Sequence, residues 1–484
     1  MASSQNREDK QHIILLPFMA QGHLNPIMAL AGLLELRTNH TITIVNTPLN
    51  IRKLKAALPP ESAIHLAELP FNSSDHGLPS NCENTDSVPP HLILRLIQAS
   101  ETLQPAFEIF LANICGQDGR PPLCIISDEF MSWSVESARK FDIFHCVAGT
   151  GGGYGTAIFL SVWKHLPHKK TDSEIIALPD FPGINLHRTQ LTRHCKEADG
   201  SDPWSILFRK HMEFFYQTDG MVINTIEELE GRALNYFRNE VSRRIWCVGP
   251  LLRSLFSPSS STTSSSCTDW LNQHTPNSVL YISFGSQNSI QLSHMKELAK
   301  GLEASGKPFI WVVKPPIGFD VKGDFRAEWF PDGFEERVTA KKRQGLLAKS
   351  WAPQMEILSH KSTGAFLSHC GWNSILESLK EGVPIIGWPM AAEQHYNMKY
   401  LVDELGVGVE IARGLEVEIH GDDITKMIKH VMDQESGIGV EMRRKAKEVQ
   451  ELIEAATVED ENCKGSSVRA LDEFLQTAAS HRTK

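Results

Sequence analysis

Residues 351–394 read WAPQMEILSHKSTGAFLSHCGWNSILESLKEGVPIIGWPMAAEQ. The apolar runs GAFLSH (364–369) and VPIIGWP (383–389) have the length of buried strands, and each is followed by apolar residues at helical spacing. Gly382 marks the end of the first of these helices. Two successive strand–helix units predict a parallel α/β sheet. In such a sheet ligands bind beyond the carboxyl ends of the strands, which is where the polar residues of this segment collect.

The polar residues of this segment have the chemistry to bind a nucleotide joined to a sugar. At the start of the first helix, free backbone N–H groups and the positive end of the helix dipole favour phosphate. The residues placed there are His369, Gly371, Asn373 and Ser374. Glu377 would repel phosphate but suits a ribose diol, and Trp351 offers a flat face for a base. Glu393 and Gln394 offer the acceptors and donors that sugar hydroxyls need.

The segment resembles the complete signature box of plant family 1 glycosyltransferases, which use a uridine-diphosphate (UDP) sugar as donor. W-A-P-Q opens it, H-C-G-W-N-S forms its middle, Glu377 follows, and E-Q closes it at the expected length. The resemblance implies a donor site in which Trp351 and Gln354 bind uracil and Glu377 binds ribose. It assigns the diphosphate to His369, Asn373 and Ser374, and the sugar to Trp372, Glu393 and Gln394. Ala352 and Gly371 complete the set. A final Gln in this box usually goes with glucose donors, so the resemblance points to UDP-glucose.

Each of these motifs also has a purely structural interpretation. Ser374 and Glu377 are spaced S-x-x-E, which is a capping box for the start of a helix. Single tryptophans such as Trp351 and Trp372 commonly belong to a core. The His-Cys pair at 369–370 resembles half of a metal site, but no second Cys/His set follows at ligand spacing, so no metal is expected.

Length and composition indicate a soluble globular protein. The 484 residues predict two to three domains, and 41% hydrophobic and 22% charged residues are ordinary values. A net charge of −10 argues against a nucleic-acid or anionic-membrane partner. Nine cysteines without close pairs favour reduced thiols. The first residues are polar, so no signal peptide is expected, and no run of about 18 apolar residues is present that would span a membrane. We therefore expect a cytoplasmic enzyme. We also expect it to be a monomer.

The N-terminal part of the chain begins with a second strand–helix–strand unit. HIILLPF (12–18) and TITIVNT (41–47) are buried strands, and Pro26 is predicted to open the helix between them, which leaves His23 in the loop after the first strand. Doubly wound domains place functional residues in that loop. The strand LCIISD ends in Asp128, whose carboxylate can turn toward an imidazole, fix its tautomer and stabilise its charged form.

Both residues have structural alternatives. His23 can be a structural cap, and Asp128 can be the N-cap of the segment EFMSWSVESARK, since Asp is a preferred cap residue. The sequence GHLNP around His23 and the position of Asp128 match the catalytic histidine and its orienting aspartate in the family that the donor box resembles. The resemblance therefore implies that these two residues are catalytic.

The glycine-rich stretch IFHCVAGTGGGYG (143–155) does not meet the dinucleotide-binding pattern G-x-G-x-x-G, because Tyr154 stands at the last glycine position. We interpret it as a turn that allows close approach, with Thr150 contacting the donor sugar by analogy with the family. Residues 72–90 read as a loop that contacts the acceptor. Residues 165–215 are predicted to form helices lining an acceptor pocket, with the aromatic residues Trp204, Phe208, Phe214 and Phe215.

A serine-rich stretch divides the chain. SLFSPSSSTTSSS (254–266) is low in complexity and predicts a flexible linker between a domain at 1–253 and a second domain at 267–461. In the family a last helix, here within 462–484, folds back over the first domain. Ser286 follows the first strand of the second domain, where it can donate to phosphate; F-G-S is a family feature, and a simple turn serine is the alternative.

The resemblance implies a GT-B fold, in which two Rossmann-like, doubly wound parallel-sheet domains face a central cleft. It further implies inverting transfer of glucose from UDP-glucose to a hydroxyl of a small lipophilic plant metabolite, such as a flavonoid, another phenolic or a terpenoid. His23, at an ordinary pKa of about 6.5, would take the acceptor proton. No D-x-D motif is found, so no metal or further cofactor is expected. The alternatives are another UDP-sugar, carbon-glycoside formation, a nucleotide-dependent oxidoreductase and a non-catalytic UDP-sugar sensor.

Overall fold

The computed structural model describes residues 10–240, 244–252, 262–320, 323–341, 344–349, 351–435 and 437–481. The strands form a seven-stranded sheet, a six-stranded sheet and a two-stranded ribbon. They are β1 His12–Leu16, β2 Thr41–Asn46, β3 His65–Glu68, β4 Cys124–Asp128, β5 Phe144–Gly149, β6 Ile175–Ala177, β7 Asn185–His187, β8 Gly220–Ile223, β9 Arg244–Cys247, β10 Val279–Ser283, β11 Phe309–Val313, β12 Gly345–Lys349, β13 Thr363–Ser368, β14 Ile385–Gly387 and β15 Gly408–Glu410.

The α-helices of these described ranges connect the strands and cover the sheets. They are α1 Gln21–Arg37, α2 Pro48–Ala57, α3 Ile93–Glu101, α4 Gln104–Asp118, α5 Ser134–Lys140, α6 Gly153–His165, α7 Arg193–Glu197, α8 Pro203–Phe215, α9 Gly231–Glu240, α10 Thr262–Leu271, α11 Leu292–Ser305, α12 Phe334–Glu336, α13 Gln354–Leu358, α14 Trp372–Lys380, α15 Gln394–Tyr400, α16 Gly421–Val431, α17 Ile438–Thr457 and α18 Ser466–Ser480.

Both large sheets are doubly wound. Their orders are β3-β2-β1-β4-β5-β8-β9 and β12-β11-β10-β13-β14-β15, and the neighbouring strands are parallel. β1 lies between β2 and β4, and β10 lies between β11 and β13, so the connections change direction beside these two strands. Ligands bind at such switch points. The structure confirms the predicted α/β fold with two doubly wound parallel-sheet domains.

The central strands are buried along their whole length. Every residue of β4 and β13 is buried, as expected of parallel strands covered by helices on both faces. Their apolar sequences CIISD and TGAFLS supply the core, and their last residues, Asp128 and Ser368, reach the carboxyl edge of each sheet. The buried apolar runs thus fix where the polar residues that follow them emerge.

The prediction that Pro26 opens the first helix was wrong, because α1 begins at Gln21 and places His23 in its first turn. Pro26 has no N–H to donate to the carbonyl of Gly22, which is normally a costly gap inside a helix. Asn373 of the second domain supplies the donor, with its Nδ2 atom 2.8 Å from the Gly22 oxygen. A tertiary contact therefore completes the first turn of α1.

The predicted linker is shorter than its composition suggested. Residues 254–261 lie outside the described residues, but α10 begins at Thr262, so residues 262–266 are helical. Serine-rich sequence favours helix weakly; here Cys267 and Leu271 of the same helix are buried in the second domain and hold it in place.

Residues 175–187 are also not the helices that were predicted, since β6 and β7 form an antiparallel ribbon there. The last helix, α18, packs on the first sheet, where the ring of Phe474 lies 5.3 Å from that of Trp246 and 6.3 Å from that of Phe144. This contact ties the C-terminal end of the chain to the N-terminal sheet.

The two sheet domains share a buried interface beside the cleft. The Trp372 indole N–H donates to the carbonyl of Asn224 at 2.6 Å, and the rings of Tyr154 and Tyr400 lie 4.9 Å apart. A Cβ atom on Gly152 would lie 2.7 Å from the Trp372 ring, so only glycine permits this approach. The predicted close-approach turn in the glycine-rich stretch is therefore confirmed.

Candidate active site

A cavity of about 2420 Å³ lies between the two domains, at the carboxyl ends of both sheets. It brings together His23 and the predicted donor residues. The donor residues in its wall are Thr150, Ser286, Trp351, Ala352, Gln354, His369, Gly371, Trp372, Asn373, Ser374, Glu377, Glu393 and Gln394. Asp128 does not reach the cavity; it is completely buried behind His23.

His23 and Asp128 form a hydrogen-bonded pair. The Nδ1 atom of His23 lies 2.8 Å from Oδ2 of Asp128 and 3.1 Å from the hydroxyl of Thr150. The other carboxylate oxygen of Asp128 accepts the backbone N–H of Phe130 at 2.9 Å and so caps the 3₁₀ turn Glu129–Met131. Asp128 is thus both an imidazole partner and a helix cap, since each of its oxygens has its own partner.

This pairing fixes the chemistry of the imidazole. With Nδ1 directed at Asp128, the second ring nitrogen, Nε2, is the one available to the cavity. Burial alone lowers the pKa of His23, but the charge of Asp128 and its hydrogen bond outweigh burial and, with Glu129 and Glu393, raise the pKa to about 9. The expectation of an ordinary value near 6.5 was therefore wrong.

The residues predicted to bind the base and ribose are already linked to one another. Gln354 accepts from the Tyr281 hydroxyl at 3.1 Å, and its amide nitrogen donates to Ser374 at 3.1 Å and to Glu377 at 2.5 Å. Trp351 is 54% exposed, which leaves its ring open for stacking and excludes the core interpretation.

The capping-box interpretation of Ser374 and Glu377 was wrong. Gly371 is the N-cap of α14 and makes no side-chain cap bond, and Ser374 lies inside the first turn. The Ser374 hydroxyl instead accepts from Gln354. The spacing S-x-x-E therefore serves the polar network of the cleft, and the residues of the helix start, from Gly371 to Ser374, line the cavity.

The predicted diphosphate region lies beside that helix start. His369 is buried, and burial together with the Lys314 charge lowers its pKa to about 4, so its ring is neutral near pH 7. Its Nδ1 atom is buried without a hydrogen-bond partner. Ser286 lies in the same part of the wall, after β10. These groups offer hydrogen bonds but no positive charge.

The predicted sugar residues are held by the backbone around them. The side-chain oxygen of Gln394 accepts two backbone N–H groups, those of Met390 and Ala391, each at 3.0 Å. This fixes the orientation of the amide, whose N–H groups are its remaining donors. Glu393 accepts from the side chain of Asn397 at 3.2 Å, and the side chain of Trp372 is committed to the domain interface.

The first-domain half of the cavity is aromatic. Its apolar walls contain Phe18, Phe130, Phe159, Trp163, Trp204, Phe208 and Phe215. The Phe208 ring lies 4.6 Å from Trp163 and 5.0 Å from Phe159, which makes one continuous face. Four aromatic residues were predicted to line this pocket, and the prediction was wrong for Phe214, whose side chain lies on the other side of α8 and packs in the core. The 72–90 loop reaches the wall through Thr85 and Pro90.

The cavity wall contains charged residues that were not predicted from the sequence, and two of them, Glu129 and Lys314, directly follow buried strands. Glu129 follows Asp128 directly, and its pKa is raised to about 8 by burial and by the charge of Asp128. Lys314 follows β11 directly and also lines the cavity. Both residues could have been predicted as cavity residues from their position, because a charged residue at the end of a buried strand lies at the edge of the sheet. Asp128 was predicted on this basis.

Two Rossmann-like domains face one cleft, with the predicted donor residues in the wall of the second and a paired imidazole in the first, which is the arrangement of a glycosyltransferase of the GT-B type. Residues 258–443 match the family described as "UDP-glucoronosyl and UDP-glucosyl transferase". The chain is 46% identical to UDP-glycosyltransferase 92A1 of Arabidopsis thaliana over 96% of both chains, and 41% identical to crocetin glucosyltransferase 3 of Crocus sativus over 88% of this chain and 92% of that one. The chain therefore belongs to the plant UDP-glycosyltransferases, and it is a hexosyltransferase.

Solved structures agree with this assignment. The complex of Medicago truncatula UGT71G1 with UDP-glucose matches with a TM-score of 0.81 and 26% identity, covering 99% of this chain and 100% of that one. Glycyrrhiza uralensis UGT73P12, complexed with glycyrrhetinic acid 3-O-monoglucuronide, matches with a TM-score of 0.82 and 27% identity, covering 98% of this chain and 96% of that one.

Among the described residues no group of three or more His, Cys, Asp or Glu is arranged to hold a metal ion. Nor does any helix in those ranges have the length and apolar character to cross a membrane.

Proposed function

We propose that the protein transfers glucose from UDP-glucose to a hydroxyl group of a small lipophilic plant metabolite, with inversion at the anomeric carbon. The observation that carries the proposal is the His23–Asp128 pair, 2.8 Å apart, whose free imidazole nitrogen borders the same cavity as the donor cradle. UDP is already a good leaving group. The chemical task that remains is to remove a proton from the acceptor and to align its oxygen with the sugar.

In the proposed reaction His23 acts as the general base. Its Nε2 takes the proton of the acceptor hydroxyl, the acceptor oxygen bonds to the anomeric carbon, and the bond from that carbon to UDP breaks. Attack opposite to UDP in a single displacement gives a β-glucoside. Asp128 stabilises the imidazolium, and the N–H groups at the start of α14, with His369 and Ser286, stabilise the departing diphosphate. The proposal requires no metal.

Glucose is favoured by Gln394, whose amide is held in one orientation by two backbone N–H groups. The names of relatives agree with this choice. A UDP-glucose flavonoid 3-O-glucosyltransferase 7 of Fragaria ananassa is 35% identical over 85% of this chain. We assign donor binding to the second domain, from the start of α10 at Thr262 to residue 461, and acceptor binding to residues up to 253.

The acceptor is proposed to be a small, largely apolar molecule with a planar or rigid ring system. Aromatic side chains line the first-domain half of the cavity and present flat faces without fixed polar partners. The named relatives act on crocetin and on a flavonoid, and both names denote small molecules. A flavonoid, another phenolic or a terpenoid fits this pocket.

The test is to incubate the purified protein with UDP-glucose and a panel of plant aglycones. We expect a mass increase of one glucosyl group on at least one aglycone, and an NMR coupling at the anomeric proton that identifies a β-O-glucoside. An α-linked product would contradict inversion, and a carbon-linked product would replace the O-glucoside in the proposal. Transfer from another UDP-sugar in preference to UDP-glucose would contradict the donor assignment.

A further inference from the structure

The diphosphate region of the cleft contains a positive charge that the donor box does not include. The groups assigned there are neutral: two serines, an asparagine, the start of α14 and a His369 ring whose pKa is lowered to about 4. A nucleoside diphosphate carries at least two negative charges, and the bond that breaks adds charge to it. Neutral donors alone leave that charge without a counterion.

Lys314 supplies a cation at this position. It is the first residue after β11, the strand that lies directly beside β10, and it borders the cavity. Its Nζ atom donates to the carbonyl of Gly285, at the turn that follows β10 and precedes Ser286. This hydrogen bond holds the ammonium group against the turn on which a predicted phosphate-binding residue lies.

Lys314, Gly285 and His369 form one compact group. Gly285 has a φ of +73°, and a Cβ atom there would lie 2.5 Å from the His369 ring, so the turn and the imidazole are in direct contact. The Lys314 charge reaches His369, because it adds to burial in lowering the pKa of that ring. The ammonium group therefore lies within electrostatic range of the predicted diphosphate site.

The ammonium group makes no ion pair with a carboxylate among the described residues. Burial lowers the pKa of Lys314 to about 8, and no neighbouring acid raises it again. Lysines elsewhere in the chain, such as Lys140 with Glu108 and Lys210 with Glu101, have an acidic partner. A partly buried cation without an ion-pair partner carries a desolvation cost in the unliganded protein, and an anionic ligand offsets that cost.

We infer that Lys314 binds the diphosphate of the donor and neutralises the charge that develops on UDP as it leaves. This inference rests on the proposed donor site and adds to it a residue from outside the 351–394 segment. One Nζ hydrogen is used by Gly285, and the ammonium group has further N–H donors for phosphate oxygens. The residue touches the leaving group, so it affects both binding and turnover.

The experiment compares UDP with uridine by isothermal titration calorimetry. Lys314→Met removes the charge but keeps the length of the chain, and Lys314→Arg keeps the charge. We expect Lys314→Met to weaken UDP about tenfold to a hundredfold, which is the range of one charge-assisted hydrogen bond, and to leave uridine unchanged. Lys314→Arg should recover most of the UDP affinity. Lys196→Met, an exposed lysine in the acceptor-side wall, is the matched control and should change neither.

Equal weakening of UDP and uridine would assign Lys314 a merely structural role and overturn the inference, as would unchanged UDP binding. Equally weak binding of uridine and UDP to the wild-type protein would contradict the proposed donor site itself. The wild-type titration tests this separately from the titrations of the variants. A second measurement covers the case in which Lys314→Met does not fold. An anion bound to Lys314 must raise the pKa of the lysine above its value of about 8, so UDP binding at pH 8 should take up protons, detected as a dependence of the heat on buffer ionisation. His369, the titratable neighbour of Lys314, has a pKa of about 4 and does not contribute, but His23 and Glu129 border the same cavity with pKa values of about 9 and 8. The part of the uptake that belongs to Lys314 is therefore the part lost in Lys314→Arg, whose guanidinium stays charged, and equal uptake by the wild type and Lys314→Arg would overturn the inference.

Discussion

The two halves of the cleft are built in different ways. In the donor half most of the predicted contacts come from the single segment 351–394, and the side chains are bonded to one another before any ligand is present, as Gln354 is to Tyr281 and Glu377. In the acceptor half the wall is assembled from side chains far apart in sequence, from Phe18 to Phe215, and their contacts are between aromatic rings.

The difference follows from what each half is proposed to recognise. A sugar nucleotide presents many hydrogen-bonding groups in a fixed arrangement, so the protein must set the directions of its own donors and acceptors in advance. A lipophilic acceptor needs a dry, flat surface and one base beside its hydroxyl. Substitutions in the two halves should therefore have separable effects, and His23, which lies between them, should have the largest.

The largest effect is expected for His23→Ala. Loss of the general base should lower kcat by about 10²- to 10⁴-fold, while UDP affinity stays unchanged because His23 is not part of the donor cradle. Steady-state kinetics measure the loss of kcat, and titration with UDP measures the affinity for UDP. Full activity of the variant would remove His23 from the mechanism, and a parallel loss of UDP binding would show that the two halves of the cleft are not separable.

Trp351→Ala should act on the donor half alone. Stacking on a base contributes about 1–3 kcal/mol, so UDP and uridine should each bind roughly tenfold or more weakly, while Trp351→Phe keeps a flat ring and much of the affinity. The melting temperature should not change, because the side chain is 54% exposed. Unchanged uridine binding would place the base elsewhere.

Phe159→Ala should act on the acceptor half alone. Phe159 is partly buried in the aromatic wall, with its ring 5.0 Å from that of Phe208, and its removal should raise the KM for the acceptor about tenfold with no change in UDP affinity. Phe110→Ala is a matched control, since that ring lies outside the cavity and should leave both constants unchanged. A larger effect of Phe110→Ala than of Phe159→Ala would contradict the assignment of the aromatic wall.

Gln394→His tests the choice of sugar. The imidazole cannot accept both backbone N–H groups that hold the glutamine amide, so the ratio of glucose to galactose transfer should fall about three- to tenfold. Gln287→His, in the cleft wall where the Gln287 amide donates to the hydroxyl of Thr85, should leave that ratio unchanged. An unaltered ratio in Gln394→His would mean that another residue selects the sugar.

The smallest effect is a shift of the pH profile. A general base must be deprotonated, and because Asp128, Glu129 and Glu393 keep the pKa of His23 at about 9, kcat/KM should rise with pH up to about that value. Glu129→Gln removes one of these charges and should move the midpoint to lower pH by less than about one unit. Glu197→Gln, an exposed carboxylate in the same wall, should not move it. A profile that is flat above pH 7 would contradict the raised pKa.

Much of the site was predictable because its chemistry lies at strand ends. An apolar strand of about five residues marks its own carboxyl end, and the residue that follows is placed at the edge of the sheet. This reasoning placed His23, Asp128 and the donor residues at the carboxyl ends of strands, and the resemblance to the family added that the two domains bring them to one cleft. The same reasoning would have predicted Lys314 and Glu129 as well, had every charged residue after a buried strand been considered.

Some features of the site depend on partners that are distant in sequence. α1 extends across Pro26 because Asn373 donates to the carbonyl that proline leaves free. Phe214 and Phe215 are neighbours in α8, yet only Phe215 reaches the cavity, because the rotation of the helix against the core decides which side faces it.

The sequence by itself determined the two doubly wound sheets and the positions of the predicted donor residues at strand ends, since apolar strand length, helix starts and the polar residues between them are local properties. Only the tertiary structure decided the protonation of His23, the unpaired charge of Lys314 and the aromatic acceptor wall. The physical reason is that a pKa, an ion pair and a cavity wall each depend on burial and on charges or rings brought close by folding, which no stretch of sequence contains.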